Sequence, residues 1–276
     1  MGLKSFFYTL LGNVHIIPNL VVPPFFVLGE PPRRYSLAQD YRAASRLLQP
    51  GDLLVCCAKG YFFSNRAIRG TAFKHAALYC GPITGRRNPD TGRIERPKIL
   101  PSGVGIHQTL YPRSVIHATS DGINCIDLLD LLLYEDYVAA FRPAAADKAK
   151  LELATQIMVT EACKLVGTPY DFGFDFSTHE KMCCTEFTDY LLKRVGLPTP
   201  PRILQRVKFF GPKVEVTLAD SYALLFPCVW ATMSCSEPAF VNQSAIPGVL
   251  RDRIYEAQDG EDLETRVIDG LSAGEK

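Results

Sequence analysis

Residues 170–195 read YDFGFDFSTHEKMCCTEFTDYLLKRV, and the fold turns on how this stretch is parsed. After the run Cys183-Cys184-Thr185-Glu186, Phe187, Leu191 and Val195 recur at four-residue intervals, the spacing of one helix stripe. Cys184 therefore falls in the first turn, where backbone N–H groups lack intrahelical partners and the macrodipole favours negative charge. The thiolate is the reactive form of cysteine, and helix N-termini are among the places where its pKa is lowered. A thiol held below its ordinary range is thus expected at Cys184. Taken alone, the window fits a pair of buried packing cysteines better, since free cysteine is among the most buried residue types. Partners elsewhere in the chain have to decide.

Upstream, the clearest helix covers 147–166. Leu151, Ala154, Met158, Ala162 and Leu165 form its apolar stripe, Asp147 caps it, and Gly167 followed by Pro169 ends it. Before it, 137–142 (YVAAFR) reads as a strand stopped by Pro143, and Asp127 opens a short Leu-rich helix. Segments 114–118 (SVIHA, carrying His117) and 122–126 form two strands joined by a Ser-Asp-Gly turn. Residues 73–81 (FKHAALYCG) form a buried strand with His75 near its start, and 53–58 (LLVCCA) another, after the turn Pro50-Gly51-Asp52. Ser64 is placed to cap a short helix that Gly70 ends, and 37–48 reads as a further short helix. Residues 82–113, rich in Gly, Pro and Arg, read as a hairpin or loop insertion. Their Gly103-Val104-Gly105 lacks the third glycine and the strand–helix setting of a dinucleotide fingerprint. Downstream, Gly196-Leu197-Pro198 ends the cysteine helix. Then come a strand at 214–218, a short helix at 219–225, an apolar segment at 228–235 and an acidic stretch from 248.

Three parts follow: 1–48, an apolar arm and short helix; 49–198, the main domain with its insertion at 82–113; and 199–276, a C-terminal extension with an acidic tail. At 276 residues and 47% hydrophobic, the chain can bury a sizeable core. Thirty basic against 29 acidic residues, a net charge of +1, give no electrostatic footprint for nucleic acid. The nine cysteines are odd in number and show no Cys-x-x-Cys or zinc spacing, so mostly free thiols in a reducing compartment are expected, with no metal and no cofactor. Residues 1–29 are strongly apolar but broken by Pro18, Pro23 and Pro24. They fall short of the ~20 apolar residues of a membrane span and make a poor secretory signal. Phe6 stands where a myristoylation motif wants Ser or Thr. A cytoplasmic or particle-associated protein is expected, with 1–29 docking on a partner, a membrane surface or another copy of the chain.

The run PGDLL, SNRAIRGT, KHAALYCG, VIHA, AAFRP and GTPYDFGFD…CCTEF closely resembles the YiiX/YebB-like permuted papain-fold cysteine hydrolases, relatives of the NlpC-type cell-wall peptidases and of the lecithin retinol acyltransferase group. The likeness covers about residues 50–196. It implies an α+β, circularly permuted papain-like (NlpC-type) fold, an antiparallel sheet packed against helices, here with N- and C-terminal extensions. In the permuted order the histidine precedes the cysteine, as His75 precedes Cys184. The family's Cys-[Ser/Thr]-Glu pattern falls on Cys184-Thr185-Glu186, which implies Cys184 as nucleophile. Its Ser/Lys-His strand falls on Lys74-His75, which implies His75 as base. The third polar residue, often Glu in the family, aligns with His117. A histidine can orient the base's ring but adds no negative charge to stabilise an imidazolium.

These residue types suit thiol acyl chemistry. An imidazole with a pKa near working pH can take the proton of a thiol, and the sulfur then attacks an amide or ester carbonyl. Backbone N–H groups at the helix start, Thr185 included, are the natural oxyanion donors, and Tyr170 is a candidate to contact the substrate. Asp171 and Asp175 read as turn formers, while His15, His107 and His179 carry no supporting pattern. The reading predicts the His75 ring within hydrogen-bond reach of the Cys184 sulfur. The expected function is a cysteine hydrolase acting on an acyl, peptide or lipid-linked substrate. The alternatives are a structural or interaction protein that keeps the fold without chemistry, and a thiol acyltransferase.

Overall fold

The computed structural model describes residues 37–58, 68–99, 109–144, 147–176, 178–205 and 213–273. The apolar segment 1–29 with its docking role, Ser64, His15 and His107 lie outside them. The first helix, α1 (Leu37–Leu47), leads to β1 (Leu53–Cys57), β2 (His75–Arg87), β3 (Ile94–Ile99), β4 (Thr109–Thr119) and β5 (Gly122–Asp127). Then follow α2 (Leu128–Tyr134), β6 (Tyr137–Phe141), α3 (Lys148–Leu165) and α4 (Cys184–Arg194). A small pair, β7 (Ile203–Gln205) and β8 (Val214–Val216), precedes a 3-10 turn (Ala219–Leu224), β9 (Cys228–Ala231), α5 (Pro238–Val241) and α6 (Pro247–Ala273).

Seven strands make one antiparallel sheet in the order β5-β4-β2-β1-β6-β9, with β3 alongside the far end of β2. The central strands β1 and β6 are buried at every position, which is why their sequences are unbroken apolar runs rather than alternating ones. Each face has its own core, because successive strand side chains point to opposite sides. Ala76, Leu78, Ile116 and Cys125 pack under α3 and α4 through Met158, Ala162, Cys184, Phe187 and Leu191. Ala77, Tyr79, Val115 and Ala140 pack on the other face under α1 and α2. The architecture is an α+β antiparallel sheet between helices, with the histidine strand before the cysteine helix.

Two of the sequence segments quoted above meet at the start of β1. Arg142 donates from Nε and its terminal nitrogen to both oxygens of the buried Asp52, each at 2.8 Å, and to the Leu47 carbonyl at 2.6 Å. The Gln49 N–H also donates to Asp52, at 2.7 Å. A planar guanidinium suits this double contact.

Helix α3 starts where the periodicity places it, with Asp147 accepting from the N–H groups of Ala149 and Lys150. Residues 82–99 prolong β2 and fold back as β3, so that part of the insertion is a hairpin. The C-terminal stretch is more deeply built in than an extension. Strand β9 forms the sheet edge beside β6, and Tyr222, Phe226, Phe240, Leu250 and Ile254 lie in the main core. Its local sequence carries no sign of a strand partner some 90 residues upstream, so only the fold reveals the pairing. Among the described residues no helix is long and apolar enough to cross a membrane.

Candidate active site

Cys184 opens α4, and Cys183 before it is the N-cap, with an extended backbone. The Cys183 N–H donates to Oε2 of Glu186 at 3.3 Å, so the glutamate of the Cys-Thr-Glu motif reaches back to close its own helix end. Cys184 is 6% exposed and shares the core with Phe187 and Leu191. Burial raises its thiol above the ordinary value, while the backbone N–H groups of Ala76, Thr185 and Cys184 itself draw it down. This corrects the expectation of a depressed thiol: the helix start supplies the amides, but loss of water outweighs them.

The histidines form a chain. Nε2 of His75 lies 3.0 Å from Nδ1 of His117, and Nε2 of His117 lies 2.9 Å from Oδ1 of Asn124. Register explains the grouping. His75 stands opposite Cys56, and His117 stands between Ala77 and Asn124 on neighbouring strands. Directly opposed residues share a face, so all three polar side chains rise from the α1 and α2 face. Burial pushes the His75 pKa down to about 3, helped by His117, and that of His117 down to about 4, against the pull of its Asn124 bond. Both rings are neutral at pH 7.

Helix α4 packs on the opposite face and meets β2 at its first residues. There the Ala76 amide reaches the sulfur, while the side chain of the preceding residue, His75, leaves the strand on the other face. Among the described residues no hydrogen bond joins His75 to Cys184. The structure thus brings His75 and His117 together and sets Cys184 beside the next amide of the same strand. The thiol–imidazole contact expected from the sequence is not made. The reason is the face: by register His75 leaves β2 on the α1 and α2 side, while the sulfur lies on the α4 side with Ala76 and Leu78.

A family model for permuted papain-like amidase enzymes (YaeF/YiiX, the C92 family) matches residues 47–245. The chain belongs to this family. The match runs past residue 198 and takes in β9, in keeping with the place of that strand in the sheet. Among solved structures, metalloprotein YiiX from Escherichia coli O157:H7 is similar, at 13% identity and a TM-score of 0.47, over 67% of this chain and 98% of that one. No curated protein matches.

Tyr170 and Thr185, the other two candidates, lie beside the cysteines. Tyr170 packs against Phe172 and Phe174, with ring centroids 4.9 and 6.5 Å away. Burial raises its phenol well above the ordinary value, and the Cys184 and Cys183 thiols beside it add to the rise. Thr185 is buried, its hydroxyl 3.8 Å from the Cys183 sulfur. A cleft opens at Cys184 and Thr185 between Phe73, Phe174, Val216 and Leu218. Asp171 accepts from the N–H groups of Gly173 and Asp175, a turn-forming role. His179 stands 3.6 Å from Glu186, away from the paired histidines. Among the described residues no cluster of three His, Cys, Asp or Glu groups is arranged to hold a metal.

Sequence reasoning missed Asn124, Asp220 and Tyr222. Asp220 accepts from the N–H groups of Ala72 and Phe73 at 2.7 and 2.8 Å, fixing the approach to His75. The Tyr222 hydroxyl lies 2.6 Å from that of Thr188 and donates to Asp189 at 3.0 Å, fixing α4. These two sit in a stretch without a local signal. Asn124 was within reach: a two-residue turn at Ser120-Asp121 makes Thr119 oppose Gly122, hence His117 oppose Asn124.

Proposed function

We propose that this chain is a cysteine amidase or esterase in which Cys184 is the nucleophile and His75 the general base and acid, with His117 orienting His75. The observation that carries the reading is the placement of the Cys184 sulfur at a helix start, among the amides of Ala76, Thr185 and Cys184, one peptide unit from a histidine hydrogen-bonded to a second. In this reading the His75 ring, which leaves the first residue of β2 on the other face, has to come round the strand end to the sulfur. There it takes the thiol proton as the sulfur bonds to the carbonyl carbon. The N–H groups of Cys184 and Thr185 stabilise the resulting oxyanion. Collapse breaks the bond to the leaving amine or alcohol, which receives the proton from His75, and leaves a thioester. Water, giving a proton to His75, then attacks the thioester; the acid departs and the thiol is restored.

The starting pair is neutral, thiol and imidazole, so proton transfer accompanies attack instead of preceding it. Interception of the thioester by an amine or alcohol would make the protein a transferase. We assign the apolar residues 1–29 to association with a membrane surface, a partner or a second copy. Two observations favour a fold kept without chemistry: His75 rises from the sheet face opposite the one that α4 covers, and among the described residues no hydrogen bond joins it to Cys184.

Incubation with a panel of p-nitrophenyl acyl esters and peptide amides, followed by intact-mass analysis, tests the reading. The expected result is an acyl adduct on Cys184 that hydroxylamine removes and Cys184→Ala abolishes. Turnover that survives Cys184→Ala overturns it by placing the nucleophile elsewhere; no adduct and no turnover with any of them overturns it in favour of the scaffold.

A further inference from the structure

The polar chain does not end at His117. Asn124 is buried, and its Nδ2 donates to the Thr119 hydroxyl at 2.9 Å and to the Gly122 carbonyl at 3.1 Å. A carbonyl can only accept, so the amide nitrogen has to face Gly122 and the amide oxygen has to face His117. Gly122 is itself fixed. Its φ is +105°, and a Cβ there would meet the Thr168 carbonyl oxygen at 2.6 Å, so only glycine fits the turn. The neighbouring N–H of Ile123 donates to that same Thr168 oxygen at 2.8 Å. The direction of the Asn124 amide is therefore imposed by backbone.

We propose that Asn124 is a positioning residue: it sets the tautomers of both histidines and leaves Nδ1 of His75 a lone pair, the state that the hydrolase reading requires of a base. Each step is forced by donor and acceptor count. Oδ1 of Asn124 only accepts, so Nε2 of His117 carries a hydrogen. A neutral imidazole has one N–H, so Nδ1 of His117 is a lone pair. That lone pair accepts from Nε2–H of His75, 3.0 Å away, and Nδ1 of His75 is left unprotonated. With the amide reversed or removed, the buried Nε2–H of His117 would have no acceptor, at the cost of an unmade hydrogen bond. Moving that hydrogen to Nδ1 lets His117 donate back to His75 but passes the unmatched N–H on to Nδ1 of His75, so neither arrangement is favoured. Both rings then exchange between tautomers, and part of the time a hydrogen sits on the nitrogen that should accept one. The tautomer assignment stands on hydrogen-bond geometry alone; its consequence for rate rests on the hydrolase reading above.

The full chain with ring-15N histidine, observed at pH 7 by long-range 1H–15N correlation, reads the tautomers directly. His75→Gln and His117→Gln assign the two rings among the five histidines. Both are expected as Nε2–H. Either ring found as Nδ1–H, or as an averaged mixture, overturns the proposal without any variant of Asn124. In Asn124→Leu both rings should lose their fixed Nε2–H state and average between the two tautomers, and kcat/KM on an acyl ester should fall roughly 10-fold, through kcat with KM held. Asn124→Asp, which keeps an acceptor toward His117, should keep the Nε2–H pattern and recover rate relative to Asn124→Leu. Rings that stay wholly Nε2–H in Asn124→Leu overturn the proposal. If the tautomers are as expected but Cys184→Ala still turns over, the hydrolase reading fails alone; if Cys184 is acylated while the rings show Nδ1–H, this proposal fails alone.

Discussion

The two halves of the site bury titratable groups in opposite ways. On the histidine side, one ring nitrogen of His75 and both of His117 are paired side chain to side chain, down to an asparagine held by backbone. On the cysteine side, the sulfur relies on the amides of Ala76, Thr185 and its own residue, and burial still raises the thiol. A side-chain relay can be retuned by one substitution, because every member depends on the next. A sulfur surrounded by backbone can be altered only by replacing the sulfur or shifting the helix that carries it.

The largest effect should come from the cysteine side. Cys184→Ala should remove acyl-ester turnover by about 10³-fold or more while leaving the circular dichroism spectrum unchanged. Equal turnover in the variant would place the nucleophile elsewhere and dissolve the contrast. On the histidine side, Asp220→Ala strips two buried N–H groups of their acceptor just before β2. We expect a loss of about 2–4 kcal/mol in urea unfolding. A loss under about 0.5 kcal/mol would mean that the β2 approach is held by packing and not by this carboxylate.

The relay also predicts a pH dependence. His75 and His117 have folded-state values near 3 and 4, below the ordinary 6.5. Between those limits the unfolded chain binds protons that the folded chain refuses, so their penalty is absent above about pH 6.5 and grows as pH falls. At pH 5 it reaches up to about 2 kcal/mol per ring. Buried carboxyls whose values are raised, Glu186 (to about 8), Asp189 and Asp220, act in the opposite sense. The quantity to measure is therefore the stability difference between the native chain and His75→Gln/His117→Gln. The native chain should lose ground to the double variant from pH 7 to pH 5; a constant difference would mean that the rings are not buried neutral.

The smallest effect sharpens the choice between adjacent cysteines. Cys183 is buried in a satellite cluster with Phe176, Val216 and Leu218, and its backbone N–H closes the helix end on Glu186. Cys183→Ala should cost about 1 kcal/mol and leave turnover within about threefold. A loss comparable to that of Cys184→Ala would mean that the sulfurs act together.

Local pattern in the sequence was enough for much of this molecule. Asp147 and the stripe of α3, the unbroken apolar runs of β1 and β6, and the start of the cysteine helix each follow from residues within a few turns or strand lengths, because hydrogen bonding and side-chain period act at that range. The tight turn at 120–121 even carried the pairing of His117 with Asn124, since a hairpin's register follows from its turn. Only the tertiary structure decided what distant segments do to one another. It put β9 on the sheet edge, brought Asp220 to the Ala72 and Phe73 amides 147 or more residues away, and set the Cys184 sulfur against the Ala76 amide. It also reversed the expected shift of the thiol. Helix-end amides can be read from a sequence; the water excluded from around them cannot, because burial is a sum over neighbours from every part of the chain.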